Sequence, residues 1–543
     1  MKSVLIFLIA FTILGGFLRL ADITKNPVSL NIDEVAIGYN AYSILKTGRD
    51  EYGQFLPLSF KSTGDYKNPV PVYSMVPSIA VFGLNEFGVR LPTALFAILT
   101  IPLSFFLFFE ITKKKKTSLI GSFLLSISPW HIYYSRYLSD TLIGTFFVML
   151  GMLAFLRMLS TGKRYWVVIS SLALVLSMYS YHPERIFVPL FVGTLLILKK
   201  GIVKLQKTNI VIFTILCAVL VLPIVYSMVL GPGAARAQMT WMGNDIEFTR
   251  NVLVKPLLEI PVLGSKSLLL FGFWARKYLN YFDPAFLFYN GLSMTMSGSY
   301  GLGIMYLFEI PWLILGIITL IRKKLSNNSL IAAWILIGIF PASLTNNEQH
   351  SGRTLFILPM MILISAIGLT EFIKLIKVFF KPYLSNIIFV IFLIFIAWNL
   401  TLALIIYSVH FPKEQGEAFM EGTKETVEYA LANENNYREI VLDPYRGIEA
   451  PYIVSIPHMY ILFYSKYDPH TYQNEVKMRP DGSFGFSKFT IRRIDWRVDR
   501  YKKDTLFIGS PWSLPKQDIK SEEILKKVYL SSGDLAFLIV AAK

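Results

Sequence analysis

The sequence predicts an α-helical polytopic membrane protein, with about eleven membrane-spanning helices and a small C-terminal α/β domain outside the bilayer. Three observations predict it. The 543 residues are 54% hydrophobic and only 16% charged, where a soluble domain carries about 25% charged residues. Apolar runs such as 387–408 recur along the chain, each near the roughly 20 residues a span needs. Lys and Arg gather in short clusters between those runs, a topology signal rather than a surface charge.

Taken in order, the first span is 3–21; with no small-residue cleavage pattern after it, it reads as an uncleaved span rather than a signal peptide. A polar stretch follows, then the short apolar segment 69–83, expected at the interface. Further spans are expected at 87–112, 117–134, 140–158, 165–181, 185–198, 209–230, 301–321, 329–345, 353–373 and 387–408. Alternating them puts the clusters Lys113–Lys116, Lys163-Arg164, Lys199–Lys207, Arg322–Lys324 and Lys374–Lys381 on the side of the N-terminus. By the positive-inside pattern that side is cytoplasmic, so the chain is expected in the plasma (inner) membrane. Outside lie a first loop (22–86), a long loop (231–300) and the tail. Residues 1–410 are expected to form the membrane domain and 411–543 the α/β domain, with an amphipathic helix at 413–433 and strands at 439–442, 489–496, 505–508 and 537–541.

The net charge of +17 raises nucleic acid as a partner, but its placement between spans speaks for a membrane and against nucleic acid. The single cysteine, Cys217, excludes an intrachain disulfide or a thiolate metal site.

The unusual polar residues fall on the outer side, among them all six histidines. Asp33-Glu34 follows the first span; it either caps a helix at 35–45 or does chemistry, since ionisable groups near a membrane are costly. Asp65-Tyr66-Lys67-Asn68-Pro69 marks a loop returning to the membrane; Lys67 either snorkels or binds an anion. Trp130, Tyr133 and Tyr134 read as an interfacial aromatic belt beside His131, Arg136 and Asp140; Arg136 and Asp140 are spaced for a salt bridge, and a lone His131 fits a satisfied interfacial histidine. His182, Arg185, His350 and Arg353 sit at other outer span ends, where an arginine can hold a lipid phosphate or anchor a headgroup. No HExxH, paired CxxC or Walker pattern occurs, so spacing designates no cofactor; a divalent metal on scattered Asp, Glu and His stays open.

In this order and spacing, residues 1 to about 410 resemble the GT-C superfamily of polytopic glycosyltransferases, and within it bacterial relatives of protein O-mannosyltransferase and of lipid A aminoarabinose transferase. The resemblance is carried by Asp33-Glu34, Tyr66-Lys67-Asn68-Pro69, Phe82–Phe87 to Arg90-Leu91-Pro92, Ser128-Pro129-Trp130-His131 to Ser135-Arg136, and Tyr181-His182-Pro183-Glu184-Arg185, with a late outer loop before Arg353. Where the family often has Lys-Pro-Pro, this chain has Lys67-Asn68-Pro69. The resemblance implies a hexosyl- or pentosyltransferase of the cell envelope using a polyprenyl-phosphate sugar, with Asp33 as catalytic base. The acceptor, a glycan, lipid or protein, would offer a hydroxyl or amine.

Physical chemistry adds to this. A lipid phosphate is a good leaving group and asks chiefly for positive charge, with Lys67, Arg136, Arg185 and Arg353 as candidates. The acceptor needs a base within about 3 Å, assigned to Asp33 with Glu34 assisting, and single-step attack inverts the sugar carbon. A transporter or flippase is the alternative; it is disfavoured because the charged residues cluster at span ends and no two-fold repeat is seen. A non-catalytic scaffold presenting the tail is a third reading.

Overall fold

A computed structural model of the chain describes residues 2–62, 66–230, 240–244, 266–292, 301–323, 327–346, 349–447, 453–475, 477–478 and 483–541. Its contacts divide into two compact units. One comprises Met1–Ala21 and Thr93–Leu404, the other Asp22–Pro92 and Ile405–Lys543.

The first unit is helical. Its main helices are α1 (Lys2–Leu20), α4 (Glu86–Thr112, from Thr93 on), α5 (Lys115–Ile127), α6 (Pro129–Ser135), α7 (Asp140–Thr161), α8 (Arg164–Ser180), α9 (Glu184–Leu198), α10 (Lys200–Leu205) and α11 (Lys207–Leu230), then Lys266–Asn280, Ile310–Arg322, Asn328–Ser343, Leu358–Phe379 and Pro382–Ile405. Six helical segments among the described residues are long and apolar enough to cross a membrane. The segment Ser351–Phe379 is 83% buried and Lys207–Val229 only 11%, so the first is central and the second presents its apolar sides to lipid. The chain is an integral membrane protein. Close packing in its interior uses small residues, as membrane helices do: a side chain on Gly368 would collide with the carbonyl of Trp312, and one on Gly316 with that of Ile364.

Among the described residues, the members of each lysine cluster lie at or beside helix ends, as the sequence predicts. Three expected spans differ in detail. Residues 117–134 are two helices, α5 and α6, because Pro129 lacks the amide needed to continue α5 and instead opens α6 behind the Ser128 cap. The span expected from residue 301 becomes α-helical only at Ile310. The one expected from 353 opens as a 3₁₀ turn, Ser351–Ile357, before Leu358. In the long loop 231–300, residues 231–239, 245–265 and 293–300 lie outside the described residues.

The second unit joins the first loop to the C-terminal segment. The loop supplies α2 (Ile32–Thr47), the two-stranded β1 (Phe60–Lys61) and β2 (Tyr66–Lys67), and α3 (Pro69–Phe82). The tail supplies β3 (Glu439–Leu442), the small β4 (Tyr445–Arg446) and β5 (Ile453–Val454) pair, β6 (Phe484–Phe486), β7 (Phe489–Ile491), β8 (Thr505–Gly509), β9 (Ile524–Tyr529) and β10 (Leu535–Ala541). Six of these form one mixed sheet, order β6-β7-β3-β8-β10-β9, with β3 parallel to β7 and β8 and β10 antiparallel to β8 and β9. Val441, Trp496, Phe507, Leu514, Leu538 and Val540 fill the core on one side of it.

Two expectations change here. The helix expected over 413–433 is Thr423–Ala432, because Met420 and Gly422 take positive φ and break the run. The strand expected over 489–496 stops at Ile491, and Trp496 opens a short helix into the sheet's core. The loop predicted to go with the membrane helices packs instead on the tail. Gly38 of α2 lies against the ring of Phe463, where an added Cβ would come within 2.9 Å of Cε2. Tyr460 donates to the Leu30 carbonyl at 2.7 Å, Tyr39 to that of Tyr467 at 3.1 Å, and Lys424 pairs with Glu86 at 2.8 Å.

Candidate active site

The geometry around Asp33 begins with the cap of α2. Asn31, not Asp33, is the N-cap: its side chain accepts from the Glu34 amide at 2.9 Å, and Glu34 Oε2 accepts the Asn31 amide at 3.0 Å. This reciprocal box starts the helix at Ile32 and leaves the Asp33 carboxylate with no capping duty. Asp33 stands in the first turn, where the helix dipole favours an anion, with its side chain 55% exposed.

Glu34, its neighbour, is fully buried. Arg90 grips it as a fork, Nε to Oε1 at 2.9 Å and Nη2 to Oε2 at 3.3 Å. The same guanidinium donates to the carbonyls of Ile23, Pro27 and Ser29 at 2.6–2.9 Å. Arg90 therefore ties the start of the first loop to α2 and fixes the helix turn that carries Asp33. Through Arg90 and the Asn31 amide, Glu34 holds the helix turn that carries Asp33. In the sequence Arg90 stands out as a guanidinium among apolar residues, but its partner Glu34 lies 56 positions away, so the pairing is not legible there.

Lys67 ends β2, opposite Phe60 in register. The next residue, the buried Asn68, precedes the Pro69 that opens α3. Strand pairing and helix start hold the lysine from both sides, and its ammonium meets Asp33 Oδ1 at 2.7 Å. The structure thus brings together two residues thirty-odd positions apart that the sequence marked separately. Tyr66 is half-buried beside them; Asp65 lies outside the described residues.

In the first unit the remaining candidates take several roles. His131 is a structural histidine. Its Nδ1 accepts from Arg19 at 2.8 Å and its Nε2 contacts Thr100 Oγ1 at 2.8 Å. Both ring nitrogens are used, which fixes a neutral tautomer and leaves none for a substrate. Arg19 is itself buried and donates to the carbonyls of Gly15, Leu125 and Ser126. Arg136 donates to the carbonyls of Leu18 and Ala21 at 2.9 and 2.6 Å, the place of a cation at a helix C-terminus. The expected aromatic belt is corrected: Trp130, Tyr133 and Tyr134 are 0–3% exposed and pack inside the protein, because Pro129 and the Ser128 cap turn α6 inward.

Asp140 opens α7, half-buried, behind the Ser139 cap. His182 is half-buried in the turn before α9, and Arg185 donates to the Met178 carbonyl at 3.1 Å. His350 caps the 3₁₀ turn through Nδ1, accepting the Gly352 amide at 3.1 Å. Arg353 is half-buried and donates to Thr345. Tyr134 and Ser351 hydrogen bond at 2.9 Å, and Thr141 donates to the Gly352 carbonyl at 2.7 Å, binding α6, α7 and this turn together. Glu184, the first residue of α9, is buried, and neither of its carboxylate oxygens has a hydrogen-bond partner among the described residues. Among the described residues no cluster of three His, Cys, Asp or Glu side chains has the geometry to hold a metal.

Comparison with known proteins now bears on this arrangement. ArnT from Cupriavidus metallidurans in the apo state aligns over 100% of this chain and 98% of its own, with a TM-score of 0.55 and 11% identity. Its structure bound to undecaprenyl phosphate gives the same TM-score at 12% identity, covering 99% of this chain and 98% of that one. The chain has the GT-C fold. An oligosaccharyltransferase of Archaeoglobus fulgidus with the GT-C fold aligns over 89% of this chain and 61% of its own length, with a TM-score of 0.50 and 14% identity. The family described as dolichyl-phosphate-mannose-protein mannosyltransferase matches residues 66–227. An uncharacterized protein of Aquifex aeolicus (strain VF5) is 26% identical over 162 residues, which is 28% of this chain and about a third, 32%, of that protein's length. The matched stretch 66–227 runs from the Tyr66-Lys67 strand into α11 and includes the motifs from Tyr66-Lys67 to Tyr181–Arg185, but neither Asp33-Glu34 nor the loop before Arg353.

Proposed function

We propose that this protein is a membrane glycosyltransferase that moves a sugar from a polyprenyl-phosphate donor to an acceptor hydroxyl or amine at the outer face of the membrane. The observation that carries the reading is the Asp33–Lys67 pair, an exposed carboxylate and an ammonium held 2.7 Å apart on two independently anchored elements. The GT-C fold, shared with an ArnT described as bound to undecaprenyl phosphate, supports the donor class.

In this reading the acceptor O–H or N–H lies against Asp33. Its oxygen or nitrogen attacks the anomeric carbon as the carboxylate takes the proton. The carbon–oxygen bond to phosphate breaks on the opposite side, so configuration inverts and polyprenyl phosphate leaves with the bonding electrons. Lys67 exchanges the carboxylate for the phosphate, where its charge stabilises the leaving anion. That exchange frees Asp33 when donor is bound and keeps it neutralised when donor is absent. Arg185 and Arg353 are the further candidates for the phosphate. Arg136 we assign to holding α1, since two of its donors already serve carbonyls there.

The positive-inside pattern supports an extracytoplasmic site in the plasma membrane. Nucleotide sugars are cytoplasmic, so an outward site needs its sugar on a lipid. The test is Asp33→Asn in membranes supplied with polyprenyl-phosphate sugars. Loss of transfer at normal expression is expected; full activity would remove Asp33 as the base.

A further inference from the structure

We infer that the helical unit carries a second lipid site at its lysine-rich end, built for an anionic phospholipid: the phosphate on Lys116 and Lys377, one hydrocarbon chain in the groove beneath them. The site is a cavity of about 520 Å³ between α1, α5, the helix Leu358–Phe379 and the helix Pro382–Ile405. Its size lies within the roughly 300–1,000 Å³ of small-molecule sites.

Its walls are apolar, a mixture of phenylalanine and aliphatic side chains with Phe11, Phe123, Phe392 and Ile396 among them. Its polar groups stand at one end. Lys116 is in the first turn of α5 and Lys377 in the last turn of Leu358–Phe379, and Ser385 and Asn386 are in the first turn of the next helix. These four chain positions belong to the same lysine-rich helix ends, so the groove has a charged mouth and an apolar floor.

The charges at the mouth are uncompensated. The nearby carboxylate, Glu371, is shared by Lys323 at 2.6 Å and Lys374 at 3.3 Å. Among the described residues neither Lys116 nor Lys377 has a carboxylate within ion-pair distance, and the like charges of Lys377 and Lys374 act on Lys116. Two ammonium groups lining one apolar groove repel each other, and an anion with a hydrocarbon tail would relieve that repulsion. Basic pockets between membrane helices on the positive side select anionic headgroups for this reason. An ordinary zwitterionic lipid would fill the floor and leave the repulsion in place.

The experiment is lipid retention by the full chain purified in detergent, read by native mass spectrometry with phosphatidylglycerol, phosphatidylcholine or undecaprenyl phosphate added. Wild type is expected to keep one phosphatidylglycerol in preference to phosphatidylcholine. The double variant Lys116→Gln/Lys377→Gln is expected to bind it roughly thirty-fold more weakly. Ile396→Trp, which fills the groove and leaves both charges, is expected to weaken it as well, and Lys204→Gln, a cation elsewhere at the same end, to leave it unchanged. Equal retention of both phospholipids, or equal loss in Lys204→Gln, means annular lipid only and overturns the proposal. Retention of undecaprenyl phosphate in place of phosphatidylglycerol overturns the occupant. None of these readouts depends on glycosyl transfer.

Discussion

At the scale of single residues, the roles proposed for Asp33 and Lys67 each make a separate prediction. Asp33→Asn keeps the shape of the side chain and removes its basicity; transfer should fall by about 10²–10⁴-fold, measured as sugar incorporated per unit of protein. Lys67→Ala removes the cation and should lower transfer by about 10²–10³-fold, with Lys67→Arg recovering part of it because the charge returns. Glu51 gives a third. It lies beyond α2, buried, accepting from Asn40 at 3.1 Å, and loss of solvation pushes its carboxyl up to about 7, against the opposing effects of Asn40 and Lys477. The unfolded chain would release that proton near 4.5, so between about 4.5 and 7 the folded state holds one proton more. Stability of the wild type should therefore fall as pH rises through that window and level off above it. Glu51→Gln should flatten this component; thermal unfolding in detergent at a series of pH values checks it, and identical pH slopes in the two proteins would contradict it.

Among elements, what could be read from the sequence followed from local patterns. Apolar runs and lysine clusters located most helices, and α3 was expected where Pro69 opens it. The failures came where one residue outweighs a run: Pro129 splits an apolar stretch, and Gly422 with Met420 ends a helix early. The same holds at the site. Asp33 and Lys67 could each be marked from composition near a membrane, but their pairing rests on the β1–β2 register, which no periodicity announces. The partners of His131 and Arg136, which are Arg19 and the carbonyls of Leu18 and Ala21, are not legible in the sequence because they lie more than a hundred positions away. The Arg90 fork is the joint between elements with the most to lose. Arg90→Ala would strand the buried Glu34 carboxylate, a change that costs about 3–5 kcal/mol where one partner of a buried pair is removed. Glu34→Gln/Arg90→Met together should cost less than Arg90→Ala alone, as a double-mutant cycle followed by thermal unfolding would show.

On the scale of the whole molecule, the unexpected feature is that the first loop and the C-terminal segment form one unit. The sequence predicts the tail as a domain of its own. The contacts change that expectation. Removing 411–543 takes away Phe463 from Gly38, Tyr460 from Leu30 and Lys424 from Glu86, and so exposes one side of the α2 that carries Asp33. Transfer should be lost, and limited proteolysis should find the first loop newly cleavable in the truncated protein. An intact loop with full activity would show that the tail only covers it.

The most direct measurement of the central claim is the fate of the lipid donor. Membranes containing wild-type or Asp33→Asn protein at matched levels are given radiolabelled polyprenyl-phosphate sugars, and both released polyprenyl phosphate and labelled acceptor are counted. The account predicts that the wild type produces the two in equal amounts, with inverted linkage to the acceptor, and that Asp33→Asn produces neither. Movement of the intact donor across the bilayer with no sugar released, unchanged by Asp33→Asn, would contradict it and leave a lipid transporter in its place.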